Sequence, residues 1–361
     1  MSDLEIDSFM GPRTTDMIRN RIYSAWVGRV SGCMLGKPVE MLSIKHGVTR
    51  LQRYLADVDA MPLREYIPFR LDVDDAVEHE GACIEEMSHS IPDDDINYTV
   101  LSLLLVEEFG HKFTTADVGR MWLRYLPGSM VFTAERDAYV KLLAEAGMRF
   151  PVGADSAVNI AECSDNRFND WIGAQIRVDL YGWINPGDPT AAADMARRDA
   201  ELSHRGEGVY GAMVIAAAGA SILGGENPVR ALEIAVEQIP ANADCATAVE
   251  AGLATASSPT PERIHELYGH LSPVHTVNNL ALVAWALARN VTDFAAAIGD
   301  VVSAGWDTDC NGATVGGLWG LTGEVPMEWG TRWNHSVHTS LSGMGPLTVE
   351  DLTNRTLALL T

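Results

Sequence analysis

The residues best suited to chemistry are aspartates in two short clusters, far apart in the chain. Asp93, Asp94 and Asp95 follow Pro92 at the predicted start of a helix. One aspartate suffices to cap a helix N-terminus, and a second is favoured by the helix dipole. Three adjacent carboxylates repel one another unless a cation compensates their charge. Because Mg²⁺ prefers carboxylate and water oxygens, this cluster predicts half of a divalent metal site.

The second cluster lies in the stretch VVSAGWDTDCNGATVGGLWG, residues 301–320, where Asp307 and Asp309 alternate in a Gly-Trp-Asp-Thr-Asp loop. Side chains two residues apart diverge on a helix, so these carboxylates converge only in a turn or in the lead-in to a helix. The alternative interpretation is a flexible, solvated loop. If the two clusters meet, five aspartates and Glu40 could hold two divalent cations, which bind a diol or a phosphate and polarise a water molecule.

Small residues at every fourth position predict the elements that bring these acids together. Three helical segments carry such a stripe, formed by Gly28, Gly32 and Gly36, by Ala212, Ala216 and Ala220, and by Gly312, Gly316 and Gly320. Glycine costs a helix about 1 kcal/mol relative to alanine, which indicates that these helices approach other backbones closely. Pro38 ends the first segment, so Glu40 is expected just beyond it on an irregular segment. His204 lies near the front of the second segment.

Composition and pattern indicate one all-α globular domain over residues 1–361, with a flexible lead-in at residues 1–15. Helical periodicity recurs along the chain, no strand-like alternation of useful length is found, and 47% of the residues are hydrophobic. The formal net charge of −23 argues against nucleic acid and anionic membranes as partners. The sequence makes no prediction of the oligomeric state.

Cysteine usage and the terminal sequence predict a reducing cytoplasm. The five cysteines form no CxxC pair, which argues against a zinc knuckle or a disulfide framework. The acidic stretch MSDLEIDSFM at the amino terminus lacks the layout of a signal peptide. The longest apolar run, residues 210–223, is too short to span a bilayer.

Four motifs occur in a specific order between about residue 20 and residue 325. They are Gly32-CML-Gly36-KPV-Glu40, Asp93-Asp94-Asp95, Ser203-His204 and Gly305-Trp306-Asp307-Thr308-Asp309. In this order they resemble the ADP-ribosylglycohydrolase (dinitrogenase reductase-activating glycohydrolase-like) family. The resemblance implies a compact, orthogonal multi-helix bundle with two Mg²⁺ ions, or Mn²⁺, at the bottom of a cleft. It also implies hydrolysis of a ribosyl glycosidic bond in an ADP-ribosylated substrate or a related small N-riboside.

The resemblance further implies a role for each motif residue. The implied metal ligands are Asp93, Asp94, Asp95, Asp307, Asp309 and Cys310. The implied catalytic residues are Glu40, Asp94 and Asp309, with Glu40 or an aspartate as the general base. The residues expected to contact substrate are His204, Gly305 and Trp306.

Three positions depart from the family pattern. Asp93 and Cys310 stand where threonines are usual, and Arg205 stands where an aspartate often follows the histidine. Cysteine is a soft ligand and a poor partner for Mg²⁺, so the departures suggest a branch with an altered site and substrate. One alternative is a catalytically degenerate protein that binds ADP-ribose or a nucleotide. Another is a class I terpenoid synthase, because the segment Asp93-Asp94-x-x-Asn97 approximates the acidic box of that class.

Overall fold

The computed structural model describes residues 12–70, 77, 81–147 and 159–360, and within them the chain is largely helical. This confirms the predicted all-α class. The first helix begins at Pro12, so residues 12–15 of the predicted lead-in are helical. Residues 1–11, the rest of that predicted lead-in, lie outside the described residues. The interpretation of the chain as one domain stays a prediction.

The helices of the first half carry most of the acids and the walls of the candidate site. Their bounds are α1 Pro12–Gly36, α2 Glu40–Asp57, α3 Asp94–Phe109, α4 Thr115–Tyr125, α5 Thr133–Gly147, α6 Ile160–Cys163 and α7 Asp179–Trp183. Short 3₁₀ segments lie at Lys37–Val39, Gly128–Met130 and Ile172–Arg177.

The second half contains the alanine-rich and glycine-rich helices. Their bounds are α8 Pro189–Ala200, α9 Glu207–Leu223, α10 Pro228–Val236, α11 Asp244–Thr255, α12 Glu262–Tyr268, α13 Thr276–Arg289, α14 Phe294–Ser303, α15 Thr308–Gly320, α16 Met327–Thr331 and α17 Val349–Leu357. Two short antiparallel strands, β1 Ser336–Val337 and β2 Leu347–Thr348, pair with Ser336 opposite Thr348. None of the described helices combines the length and the apolar character needed to cross a membrane.

Side-chain caps fix where several helices begin. Thr114 accepts a hydrogen bond from the amide of Asp117 at the start of α4, and the carboxylate of Asp117 accepts one from the amide of Thr114. At α8, α10, α14 and α17 the cap is a single bond, which a first-turn amide donates to the side chain of Asp188, Asn227, Asp293 or Thr348. Each cap satisfies an amide that the helix itself leaves without a partner.

The glycine stripes of α1 and α15 face each other at the centre of the fold. A Cβ atom on Gly28 would lie 2.1 Å from the carbonyl oxygen of Gly316, and one on Gly32 would lie 1.9 Å from that of Gly312. The close approach predicted from both stripes is therefore confirmed. It brings the end of α1 beside the start of α15, where a Cβ atom on Gly36 would lie 2.3 Å from the carbonyl oxygen of Thr308.

The third stripe, on α9, packs against a different element. A Cβ atom on Gly182 of α7 would lie 2.6 Å from the carbonyl oxygen of Ala216 and 3.0 Å from the amide nitrogen of Ala220. The small residues of α9 thus admit α7 and not the glycine faces of α1 and α15. The close approach predicted for this stripe is confirmed, and the stripe alone did not specify which backbone approaches.

Candidate active site

Both aspartate clusters lie at helix N-termini, which suit carboxylates. Asp93 caps α3, and its Oδ1 accepts a hydrogen bond of 3.0 Å from the amide of Asp95. Asp307 directly precedes α15, and Asp309 lies in the first turn of that helix. The Oδ1 atom of Asp309 accepts a hydrogen bond of 3.1 Å from the amide of Cys310. The predicted helix start at Pro92 and Asp93 and the predicted helix lead-in at Asp307 are confirmed.

The close packing of α1 against α15 brings the two clusters together. Three groups of side chains each place their ligand atoms within 4.8 Å of one another: Cys33, Asp93 and Asp95; Asp95, Asp309 and Cys310; and Glu40, Asp307 and Asp309. Asp95 and Asp309 each belong to two groups, so the groups form one continuous acid cluster. Asp94 lines the cavity over this cluster. Cys33 was not among the predicted site residues.

Glu40 belongs to the cluster, but the secondary structure predicted for it was wrong. It is the first residue of α2, not part of an irregular segment, and only the 3₁₀ turn Lys37–Val39 separates α2 from α1. Pro38 ends α1 and also suits the first turn of the segment that follows, because it needs no amide partner there. A glutamate at a helix N-terminus is favoured by the helix dipole, opposite to the effect expected beyond a carboxyl end.

The ammonium group of Lys37 lies inside the acid cluster. Its Nζ atom is 2.7 Å from Glu40 Oε2, 2.8 Å from Asp93 Oδ2 and 3.2 Å from Asp309 Oδ2. Burial by itself lowers the pKa of Lys37, but Asp93, Asp309 and Glu40 outweigh it and raise that pKa above its ordinary value. Lys37 is therefore charged. Its position four residues after Cys33 and eight after Arg29 was the available sequence signal, since these residues share one helix face.

Both carboxylate oxygens of Asp93 are already engaged. Oδ1 accepts from the amide of Asp95 and Oδ2 contacts Lys37. The pKa of Asp93 is lowered because Lys37 outweighs the opposing effect of burial. Asp93 therefore holds Lys37 and the start of α3, while its predicted role as a metal ligand stays a prediction.

Two carboxylate oxygens of other acids in the cluster lack partners. Asp95 Oδ2 and Asp307 Oδ1 are buried and accept no hydrogen bond. Burial, and next the charge of a neighbouring aspartate, raises the pKa of Asp94, Asp95 and Asp307 well above the ordinary value. Such oxygens are the donors that Mg²⁺ and Mn²⁺ take, and a buried carboxylate without a partner is costly. A divalent cation therefore fits these residues.

Cys310 lies at the same cluster but is a weaker donor. Burial, and next Asp307, raises the pKa of its thiol well above the ordinary value. The thiolate is the form that binds metals, so a neutral thiol at this position contributes little to holding Mg²⁺. The structure leaves the role of Cys310 as a ligand a prediction.

Arg29 contacts the buried side of the cluster, and the sequence analysis did not predict this role. It is fully buried on α1 and donates to Thr99 Oγ1 at 2.6 Å and to the carbonyl oxygen of Asp95 at 2.9 Å. Its Nη1 atom pairs with Asp179 Oδ2 at 2.9 Å, and its Nη2 atom lies 3.3 Å from Asp95 Oδ1. Arg29 thereby holds the first turn of α3 against α1.

A cavity of about 470 Å³ opens over the acid cluster. Its polar part consists of Lys37, Glu40, Asp94, Asp307, Asp309, Cys310, Thr133 and Glu135. Its other lining residues are Met41, Phe132, Trp171, Ile172, Gly173, Ile176 and Val274. A cavity of this size with an apolar wall and a few convergent polar groups is typical of a small-molecule site.

Glu135 is a second carboxylate of the cavity, on α5, and no sequence motif indicated it. Arg177 holds it through a contact of 2.9 Å from Nη1 to Glu135 Oε1, and both side chains are buried. Gly173 leaves room for the carboxylate, because a Cβ atom there would lie 2.1 Å from Glu135 Oε1. Burial raises the pKa of Glu135 although Arg177 opposes it. Only its pairing with the distant Arg177 could have indicated Glu135 as a site residue, and this pairing is not visible in the sequence.

His204 does not line the cavity. It is fully buried, its Nδ1 lies 2.8 Å from Ser203 Oγ, and its Nε2 lies 3.8 Å from Glu135 Oε1. Burial, and next the charge of Arg177, lowers the pKa of His204 well below its ordinary value, so the ring is neutral. In this structure His204 lies beside Glu135, and its expected contact with substrate stays a prediction.

Gly305 and Trp306 form the turn before Asp307 and lie outside the lining of this cavity. Both residues have positive φ angles, 83° and 60°. The carbonyl oxygen of Trp306 accepts a hydrogen bond of 2.8 Å from Ser43 Oγ, and its ring centroid lies 4.3 Å from that of His265. This anchored turn fixes the direction of Asp307, so the alternative of a flexible, solvated loop was wrong. The expected contact of Gly305 and Trp306 with substrate stays a prediction.

Fold and site together define a class: a largely helical protein with a buried acidic cluster that could hold a cation at the base of a cavity. Comparison with known proteins gives the family. A sequence model of the ADP-ribosylglycohydrolase family matches residues 14–357, and the chain belongs to this family. No protein with curated functional information matches the sequence significantly.

A solved structure supports the same fold. A chain of an "ADP-ribosylglycohydrolase-related protein complex" superposes with a TM-score of 0.60 and 20% sequence identity. The superposition covers 95% of this chain and 98% of the other. Family membership indicates glycosyl hydrolase activity on a small-molecule or ADP-ribosylated substrate. The family is generally metal-dependent, and this chain has acidic groups that could hold an ion.

Proposed function

We propose that this protein is a metal-dependent hydrolase that cleaves a ribosyl glycosidic bond. One observation carries the proposal: buried, unpartnered oxygens of Asp95 and Asp307 lie in an acid cluster beneath the cavity. Buried carboxylate oxygens without partners cost the protein stability. A cation that pairs with them during function accounts for that cost.

Asp95, Asp307 and Asp309 would hold the cation, with Asp94 beside them at the cavity surface. A divalent ion such as Mg²⁺ or Mn²⁺ supplies Lewis acidity, which attracts adjacent ribose hydroxyls and makes water more acidic. Glu40 faces the same space, and its pKa is raised by burial and next by Asp309. A carboxylate with a raised pKa is a better base than an ordinary one. Glu40 therefore suits the role of general base.

The reaction requires one proton acceptor and one proton donor. The oxygen of water bonds to the anomeric carbon, a proton passes to Glu40, and the bond from that carbon to the leaving nitrogen or oxygen breaks. The leaving atom keeps the bonding electrons and takes a proton. Glu135 lines the same cavity and has a pKa raised by burial, so it suits the role of donor.

The lining of the cavity favours a small riboside over a substrate with a diphosphate. Lys37 is the only lysine or arginine among the described residues of the lining, and three carboxylates already contact it. A diphosphate would gain no free cationic side chain there, and arginine and lysine are common partners of phosphate groups. Phe132 and Trp171 offer apolar surface to an aromatic leaving group.

A substrate panel tests the proposal. Metal-stripped protein is mixed with ADP-ribosyl-arginine, ADP-ribosyl-serine and simple nucleosides, each with and without added Mg²⁺ or Mn²⁺. We expect metal-dependent release of the leaving group from at least one riboside, faster for compounds without phosphate. If no ribosyl bond is cleaved in the presence of metal, the proposed activity is wrong.

A binding protein without turnover is the second candidate function. The contact between Lys37 and Glu40 favours it, because a carboxylate paired with an ammonium group is a weaker base. Calorimetric binding of ADP-ribose or a nucleoside, with no cleavage over hours, would favour this candidate. The family match supports neither binding alone nor a terpenoid synthase, since it indicates glycosyl hydrolase activity.

A further inference from the structure

We propose that the Lys37 ammonium group is a resident cation of the acid cluster and stands in place of one of the two metal ions that the family resemblance implies. The protein then holds a single divalent ion. The inference rests on the metal binding of the proposed function and specifies how many ions that site takes. It concerns the residues of this chain and does not depend on which riboside is cleaved.

The contacts of Lys37 leave it no free donor. An ammonium group has three N–H donors, and Nζ lies 2.7 to 3.2 Å from three carboxylates, those of Glu40, Asp93 and Asp309. Each of the three groups of candidate ligands contains one of these residues. Lys37 therefore competes with an ion for an acid of every group.

The backbone fixes Lys37 in this position. It begins the 3₁₀ turn between α1 and α2, next to the buried Pro38, and its side chain is only 18% exposed. Asp93 holds the ammonium group from the other side, and its second oxygen is bound by the start of α3. A lysine anchored on both sides does not swing out to admit an ion without loss of these contacts.

The oxygens that Lys37 leaves unused suffice for one ion. Among the described residues of the cluster, two buried carboxylate oxygens accept no hydrogen bond. They are Asp95 Oδ2 and Asp307 Oδ1. Asp309 shares one group with Asp95 and another with Asp307, so it lies between them. An ion held by these three acids spares the Glu40 and Asp93 oxygens, and Asp309 is the one acid that it shares with Lys37, whose Nζ atom lies 3.2 Å from Asp309 Oδ2. A second ion at Glu40 or Asp93 would lie against the ammonium charge, and like charges a few ångströms apart repel strongly.

Manganese binding tests the inference without any activity measurement. Wild-type protein, Lys37→Met and Lys37→Arg are stripped of metal and titrated with Mn²⁺, and bound Mn²⁺ is counted after equilibrium dialysis. Lys45→Met, on the exposed face of α2, is the matched control. We expect one Mn²⁺ per chain in wild type, Lys37→Arg and Lys45→Met, and two in Lys37→Met.

Electron paramagnetic resonance at saturating Mn²⁺ gives an independent measurement. An isolated ion gives a six-line spectrum, whereas two ions a few ångströms apart give a spin-coupled spectrum. We expect the first in wild type and the second only in Lys37→Met. Two ions in wild type, or one in both wild type and Lys37→Met, would overturn the inference and leave the proposed function intact. No bound Mn²⁺ in any variant would contradict the metal dependence of the proposed function itself.

Failure of Lys37→Met to fold does not remove the test. Circular dichroism identifies that case, and the stoichiometry of wild type then decides by itself. One ion with a six-line spectrum supports the inference, and two coupled ions overturn it.

Discussion

Gly32 and Gly312 touch through their backbones where α1 crosses α15. A Cβ atom on Gly32 would lie 1.9 Å from the carbonyl oxygen of Gly312, and one on Gly312 would lie 2.3 Å from that of Gly32. The contact is what brings Lys37 and Glu40, after α1, beside Asp307 and Asp309 at the start of α15. Catalytic geometry and the stability of the core therefore depend on the same glycines.

Gly32→Ala should destabilise the protein by about 3 kcal/mol or more, because a methyl group cannot enter without separating the helices. Urea unfolding followed by circular dichroism measures the change. Gly323→Ala is the control, since a Cβ atom there meets nothing within 4 Å. We expect that variant to change the unfolding free energy by about 0.5 kcal/mol at most. Equal effects of the two variants would refute the close contact.

Asp307→Asn should remove metal binding yet stabilise the metal-free protein by about 1 kcal/mol, because it removes one of several mutually repelling buried carboxylates. Saturating Mg²⁺ should stabilise wild type by about 3 kcal/mol at a hundred times its dissociation constant, and the variant not at all. Asp57→Asn, at the exposed end of α2, controls for the loss of one carboxylate. A variant that Mg²⁺ still stabilises fully would remove Asp307 from the site.

The raised pKa of Asp179 predicts that the free energy of unfolding depends on pH. Burial raises the pKa of Asp179 to about 6 although Arg29 opposes the shift. A carboxyl group with a raised folded-state pKa contributes stability that is present below its ordinary pKa, near 3.8, and is lost as the pH rises to about 6. Between pH 4 and pH 6.5 wild type should lose about 2 kcal/mol more than Asp179→Asn.

Unfolding free energies of both proteins across this pH range measure the difference. The comparison cancels the titration of all other groups, provided that both proteins keep the contact from Arg29 to Asp95. Parallel pH profiles would show that Asp179 ionises as it does in the unfolded chain.

Glu135→Gln should slow cleavage of ribosides with poor leaving groups by about 10²-fold, because the amide cannot protonate the leaving atom. A 4-nitrophenyl riboside needs no such proton, so its cleavage should change by less than about threefold. Steady-state kinetics with both substrates give the comparison, and the exposed Glu233→Gln is the control. An equal loss with both substrates would assign Glu135 a positioning role.

The acid half of the site could be predicted from the sequence because its signals are local. Three aspartates at a helix start and two before a glycine-rich helix are unusual by their spacing alone. The stripes of Gly32 and Gly312 then required that helices pack closely. The prediction that Glu40 lies on an irregular segment was wrong, because Pro38 ends one helix and also suits the turn that leads into the next.

Residues that depend on long-range geometry could not be found in this way. Lys37 looks like a surface lysine until Asp93 and Asp309 are placed around it. Glu135 and Arg177 form their buried ion pair across 42 positions of the chain, with no motif at either residue. Burial decides the charge state of His204, and burial is a property of the complete fold.

A crystal soaked in Mn²⁺ tests the central claim most directly. Anomalous diffraction locates manganese without reference to activity or substrate. We predict one strong anomalous peak within bonding distance of the carboxylates of Asp95, Asp307 and Asp309, with Lys37 still in contact with Asp93. A crystal saturated with Mn²⁺ but without a peak among these aspartates would contradict the metal-dependent site.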